Sequence, residues 1–83
     1  MYIKLTTIKN VKDFNELANK FDGDILIKYG RYVIDGKSIM GLFSLNLLET
    51  LEVQLISDSI KSEIEFCNQV RNLGILVEQV SNY

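Results

Sequence analysis

The segment GKSIMGLFSL, residues 36–45, holds the residues whose types and spacing could do chemistry. It places the hydroxyl of Ser38 and two glycines beside five large apolar residues. Residues 36–38 resemble the end of a phosphate-binding loop of the GxxxxGK[ST] type, but Arg31 stands where that motif needs its first glycine. A nucleotide-phosphate loop is therefore not predicted, and the role of Ser38 needs another explanation.

The absence of histidine from the chain excludes several kinds of chemistry. Ser-His-Asp and Cys-His catalysis, histidine-ligated zinc and phosphohistidine chemistry all need an imidazole, which no other side chain replaces near neutral pH. The single cysteine, Cys67, permits neither an intramolecular disulfide nor a cysteine metal cluster, and we expect it to be a small buried residue of a helix. We predict no metal, no cofactor and no enzymatic activity for the chain acting alone.

The composition indicates one small soluble domain. With 83 residues, 47% of them hydrophobic and 24% charged, the chain resembles an ordinary globular protein rather than a disordered one. A domain of this size buries only about 60 to 65% of its unfolded surface, so an apolar cluster outside the core is informative. The net charge of −2, with scattered Lys and Arg, argues against a nucleic-acid partner. No apolar run is long enough to span a membrane, so we expect a cytoplasmic protein.

The first forty residues show a strand, a helix and a hairpin. Residues 2–7 alternate between apolar and polar, which predicts a half-buried strand. Asn10 is the expected N-cap of a helix over residues 11–20, with Asp13 in its first turn. Two further alternating runs on either side of Gly30 predict a hairpin with a tight turn.

The second half contains another strand and a long helix. Residues 50–57 alternate again, and residues 59–73 carry apolar side chains at helical spacing, with Gly74 as the expected C-terminal stop. The predicted inward face of this helix consists of Ile60, Ile64, Cys67, Val70 and Leu73. With the short segment after Ser38 as a further helix, the order predicts an α+β fold, a four-stranded antiparallel sheet with helices on one face.

The apolar tail after Gly74 lies beyond the last element of this predicted fold. We expect residues 1–74 to form the domain, and residues 75–83 to pack on the domain or at a subunit contact. Within the domain, the tail has two options: it could extend the last helix or add a strand to a sheet edge.

The run KFDGDILIKYGRYVIDGKSIMGLFSL, residues 20–45, resembles the HPr family, the small phosphocarrier proteins of the bacterial sugar phosphotransferase system. Its strongest part, KSIMGLFSL, looks like that family's regulatory serine signature. The resemblance covers about residues 1–74 and implies the family's open-faced β-sandwich, with the element order βαββαβα.

The chain departs from this family at the phosphoacceptor. HPr proteins carry a histidine in a Gly-[Leu/Ile]-His-Ala-Arg-Pro type loop at the start of the first helix, whereas residues 6–17 here read TTIKNVKDFNEL. An alternative acceptor would be the carboxylate of Asp13 or the hydroxyl of Thr6 or Thr7. Each has a simpler structural explanation, a first-turn charge for Asp13 and a strand end for the threonines.

Ser38 has two compatible interpretations. As a helix N-cap, its oxygen would accept a hydrogen bond from a free N–H group and contribute about 1 kcal/mol. The resemblance implies that an HPr kinase phosphorylates the matching serine. Gly41 inside so short a helix costs about 1 kcal/mol relative to alanine, which indicates close approach by the first helix or by a partner.

The apolar residues after Ser38 cannot all face the core, since Met40 points away from Leu42 and Leu45 on a helical wheel. At least one large side chain is therefore expected at the surface. The resemblance implies that Lys37, Ile39, Met40 and Phe43 form a surface for protein partners. These would be an HPr kinase/phosphorylase, enzymes of the phosphotransferase system or a catabolite-control regulator.

Three functional hypotheses follow from the sequence. The first is a non-catalytic regulatory or docking protein of the HPr type with Ser38 as a phosphorylation site. The second is a self-associating module, a homodimer in which the tail and the exposed apolar residues bury each other. The third is residual phosphocarrier activity through an acceptor other than histidine.

Overall fold

A computed structural model describes residues 1–77 of the chain, which fold into a five-stranded sheet and three helices. The elements, in chain order, are β1 (Tyr2–Ile3), α1 (Ile8–Lys20), β2 (Asp24–Tyr29), β3 (Tyr32–Asp35), α2 (Ile39–Phe43), β4 (Leu51–Ile56), α3 (Ile60–Asn72) and β5 (Leu76–Val77). Within these residues, no helix has both the length and the hydrophobicity needed to cross a membrane.

The sheet is antiparallel throughout, with the strand order β3-β2-β4-β1-β5. The inward residues of its central strands, such as Ile25, Ile27 and Val53, share one core with all three helices. This confirms the predicted α+β fold with an antiparallel sheet. The β2–β3 hairpin is also as predicted, because Tyr29 pairs with Tyr32 and Gly30 has a φ of 58°, which favours glycine.

The fifth strand was not part of the predicted sheet. Residues 76–77 pair with β1 at the sheet edge, so that Leu76 lies opposite Ile3. Ile75 is buried, and its carbonyl accepts a hydrogen bond from the N–H of Lys4 at 2.9 Å. The first part of the tail therefore adds a strand to its own domain. Residues 78–83 lie outside the described residues, and the packing of that part of the tail stays a prediction.

Helix α1 begins three residues earlier than predicted. Its N-cap is Thr7 rather than Asn10, and the Thr7 hydroxyl accepts a hydrogen bond from the Asn10 N–H at 3.0 Å. Both residue types are good N-caps, but Thr7 has the extended backbone that a cap requires, with φ −133° and ψ 160°. Asp13 consequently lies beyond the first turn, and β1 ends at Ile3 instead of continuing to residue 7.

Helix α3 is slightly shorter than predicted, and only the second half of its predicted inward face, Val70 and the half-buried Leu73, packs on the core. Phe66 and Val70 are its buried residues, whereas Ile60 and Ile64 of the predicted face are exposed and Cys67 is half-buried. Phe66 lies against two aromatic rings of α1 and the turn after it, with ring centroids 5.9 Å from Phe14 and 5.3 Å from Phe21. An aromatic ring buries more area than an isoleucine, so this cluster sets the rotation of the helix. Gly74, with φ 75°, ends it as predicted.

We expect Phe66→Ala to lower the free energy of unfolding by about 3 to 5 kcal/mol, because it removes the ring that joins α3 to α1. Ile64→Ala, on the same helix at a position that is 57% exposed, should change it by less than about 0.5 kcal/mol. Urea unfolding followed by circular dichroism measures both variants. If Phe66→Ala does not fold, Phe66→Leu replaces it. Equal losses for the Phe66 and Ile64 variants would contradict the observed rotation of α3.

Candidate phosphorylation and docking site

Ser38 is the N-cap of α2. Its backbone is extended, with φ −91° and ψ 108°, and its Oγ accepts a hydrogen bond from the Gly41 N–H at 3.1 Å. Its carbonyl accepts the first intrahelical bond, from the Leu42 N–H at 3.0 Å. The predicted capping role is thus confirmed. Ser38 is half-buried, and its hydroxyl contributes to the fold as the cap of α2.

Two glycines allow the segment around Ser38 to lie close to the sheet. A Cβ on Gly36 would come 2.6 Å from Ile25 Cγ2, and a Cβ on Gly41 would come 2.7 Å from Ile34 Cγ2. The predicted close approach at Gly41 is therefore present, but the nearest neighbour is Ile34 of β3 rather than α1, the neighbour expected within the domain. Side chains at positions 36 and 41 would push the segment off the hairpin.

The apolar side chains of α2 divide between the core and the surface. Leu42 is fully buried, and Ile39 packs partly against the core. Met40 is 79% exposed and Phe43 is 42% exposed, in agreement with the prediction that at least one large apolar side chain faces solvent. Leu48, in the connection that follows α2, is also exposed, and the sequence reasoning did not single it out. No periodic pattern marked it, because it lies outside any helix or strand.

Lys37 points back toward α1. Its Nζ donates a hydrogen bond to the carbonyl of Phe21, the C-cap of α1, at 2.8 Å. The side chain is half-buried as a result. A cation at this place complements the negative end of the helix dipole. No sequence signal identified this contact, since the two residues lie on different elements.

The five predicted site residues, Ser38 and the four docking residues, therefore lie on one short stretch, residues 37–43, with different exposures. This stretch offers an alcohol for modification and apolar side chains for contact. The described part of the chain contains no group of three or more Cys, Asp or Glu residues able to hold a metal ion.

The family model described as the PTS HPr component phosphorylation site matches residues 8–73. The chain belongs to the HPr family. The match spans α1 to α3 and includes the whole of the Ser38 segment.

Two solved structures share the HPr fold. The crystal structure of HPr-C-His from Thermoanaerobacter tengcongensis has a TM-score of 0.70 at 17% identity, over 93% of this chain and 97% of that one. The catabolite repression protein Crh from Bacillus subtilis, which forms a dimer by domain swapping, has a TM-score of 0.59 at 22% identity, over 92% and 88%. No curated protein sequence matches the chain.

The start of α1 is the region where the HPr family carries its acceptor histidine. In this HPr family member, the Thr7 oxygen is occupied as the helix cap, and the hydroxyl of Thr6 donates to Asn10 Oδ1 at 3.2 Å. Asp13 accepts from the Lys9 ammonium at 2.6 Å, and this hydrogen bond raises the pKa of Lys9. Each candidate alternative acceptor thus has a structural partner of its own.

We expect Gly41→Ala to destabilise this HPr family member by about 1 to 3 kcal/mol, because the new methyl group would overlap Ile34 Cγ2. In an open helix position the same change would instead stabilise by about 1 kcal/mol. Thermal and urea unfolding show whether the free energy of unfolding rises or falls. Met40→Ala at the neighbouring exposed position is the control.

The double variant Gly41→Ala with Ile34→Ala identifies the contact. Its loss should be smaller than the sum of the two single losses, because removing the Ile34 methyl groups makes room for the new Cβ. A Gly41→Ala protein that is as stable as the wild type would disprove the close approach.

Proposed function

We propose that the chain is a regulatory or docking protein of the HPr family that does not carry phosphoryl groups, with Ser38 as its site of regulatory phosphorylation. The proposal rests on two observations taken together. The segment around Ser38 is intact and displays exposed apolar side chains, while the chain has no histidine to accept a phosphoryl group. Docking and phosphoryl transfer need different residues, so losing one does not remove the other.

The proposed docking face consists of Lys37, Ile39, Met40 and Phe43. Met40 and Phe43 supply its exposed apolar area, and Ile39 and Lys37 border it as half-buried residues. Exposed methionine and aromatic side chains are typical anchors of protein interfaces. The partners that the family resemblance suggests are an HPr kinase/phosphorylase, enzymes of the phosphotransferase system or a catabolite-control regulator.

Phosphorylation of Ser38 would act on this face through charge. A phosphate adds roughly −1.5 to −2 charge next to the apolar side chains of α2. Its oxygens can accept the hydrogen bond that the hydroxyl accepts from Gly41, so the short helix need not unfold. We propose that the modified face loses partners that need an apolar contact and gains partners that carry arginine.

Incubation with an HPr kinase and ATP should add a single phosphate to the wild-type protein, measured by intact mass. Ser38→Ala should gain none, because its acceptor oxygen is absent. Ser59 caps α3 in the same way, with its Oγ accepting from the Ser62 N–H at 3.2 Å, but it lies outside the segment that resembles the family's regulatory serine signature. Ser59→Ala is therefore the matched control and should be phosphorylated like the wild type.

The outcome also separates capping from phosphorylation. Ser38→Ala and Ser59→Ala should each lose about 1 kcal/mol of stability as lost caps, yet only the former should lose the phosphate. No phosphate on the wild-type protein, or phosphate persisting on Ser38→Ala, would end the Ser38 proposal.

A second candidate function, self-association, rests on Crh, which shares this fold and forms a domain-swapped dimer. In this chain β1 lies between β4 and β5, and it pairs with each of them through only two residues, Tyr2 and Ile3. So short an element contributes few bonds that hold it in its own domain, a property that favours exchange between copies.

Sedimentation velocity over a range of protein concentrations tests this candidate. We expect the 83-residue chain to form dimers. A variant truncated after Val77, which keeps β1 and β5, should form fewer of them if residues 78–83 add to the contact, as the sequence hypothesis of a tail contact has it. Monomers of the full-length chain at every concentration would rule out self-association. Dimers of equal stability in both proteins would exclude the tail from the contact.

A further inference from the structure

Lys37, the residue before the serine, is bonded to α1 through both its backbone and its side chain. Its carbonyl accepts hydrogen bonds from Asn15 Nδ2 at 3.0 Å and from Asn19 Nδ2 at 3.2 Å. Its ammonium donates to the Phe21 carbonyl at 2.8 Å. Three separate bonds therefore join this one residue to the C-terminal half of the helix.

The same stretch is bonded to the sheet. The Gly36 N–H donates to the Ile25 carbonyl at 2.8 Å. This bond continues the pairing of β2 with β3 beyond the end of β3. The N–H of Lys37 donates to Asp35 Oδ1 at 2.9 Å. The N–H of Ser38 donates to the Asp35 carbonyl at 3.0 Å and closes the turn. The serine thus follows a residue that is fixed from two sides.

Helix α2 needs such support because it has only five residues. A helix this short is not stable by itself in water, since its few hydrogen bonds do not offset the entropy of nucleation. The half-buried amide of Asn15 is part of this support. Lys37 therefore borders the proposed docking face while its ammonium is bonded to the Phe21 carbonyl.

We propose that Asn15, Asn19 and Lys37 form a clamp that positions Ser38 and the first turn of α2. The clamp's consequence for regulation rests on the function proposed above. By holding the serine and the docking face in one fixed arrangement, it lowers the entropy that a kinase must remove on binding. The three residues are positioning residues: they act on phosphorylation through the placement of Ser38.

Amide hydrogen exchange in the double variant Asn15→Ala with Asn19→Ala tests the clamp without any partner. The Gly41 and Leu42 amides, which donate to the oxygens of Ser38, should exchange about fivefold faster, the factor expected from the loss of one net hydrogen bond. The amide of Ile27 in the central strand β2 should keep its rate, because alanine is a better helix former than asparagine and α1 stays folded. Asn68→Ala, an exposed change on α3, is the control.

Kinetics with an HPr kinase then test the regulatory consequence. The double variant should raise the KM for this protein as substrate while kcat changes less than about twofold, because loss of ordering affects binding rather than the reacting atoms. Lys37→Met should also raise the KM. Lys37→Arg keeps a cationic donor, so its KM should be close to that of the wild-type protein.

The outcomes separate this proposal from the one it rests on. If the wild-type protein accepts no phosphate, the proposed function fails, and the exchange rates alone decide the clamp. Unchanged exchange of the Gly41 and Leu42 amides in the double variant would overturn the clamp whatever the kinase does. Faster exchange with an unchanged KM would overturn its regulatory consequence.

Discussion

The close contact between α2 and the hairpin is the constraint on which the candidate site depends. Gly41 lies so near Ile34 that a Cβ would overlap the isoleucine, and Gly36 lies equally near Ile25. Because the helix backbone itself packs on β3, Leu42 fills the core and Met40 faces solvent. A five-residue helix keeps this position only through its neighbours, its cap and the bonds at Lys37.

The same constraint explains how a member of the HPr family can keep one surface while lacking the residue for another role. The proposed docking face depends on the hairpin, on α2 and on the second half of α1, whereas the family's acceptor histidine belongs to the loop before α1. In this chain Thr7 has the role of a helix cap at that loop. The start of α1 is thereby stabilised, while the hydrogen bonds described at Lys37 come from the second half of α1 and from the end of β3.

Local sequence signals predicted those parts of the fold that local chemistry decides. The hairpin followed from alternation around Gly30, and the cap of α2 followed from Ser38 and the apolar spacing after it. The face of α3 could not be predicted in this way, because two apolar stripes run along it at helical spacing. Only the aromatic partners Phe14 and Phe21, distant in sequence, select the stripe that contains Phe66.

Long-range pairing explains the other differences. The strand β5 has two residues and exists because β1 offers it an edge. Likewise, the exposure of Met40 could be predicted from a helical wheel, but the bonds from Lys37 to α1 could not, since they join residues that are 16 to 22 positions apart. The exposure of apolar side chains on α2 was therefore predictable from the sequence, whereas the hydrogen bonds that support this segment were not.

The central claim is that the exposed apolar side chains of α2 are a docking face. Calorimetric titration with an HPr kinase tests it through two matched double variants. Met40→Ser with Phe43→Ser should weaken binding by roughly tenfold or more, as expected for exposed interface anchors. Ile60→Ser with Ile64→Ser, which alters equally exposed apolar residues on α3, should bind like the wild type. Equal affinity of both variants, or no binding by the wild-type protein, would contradict the claim.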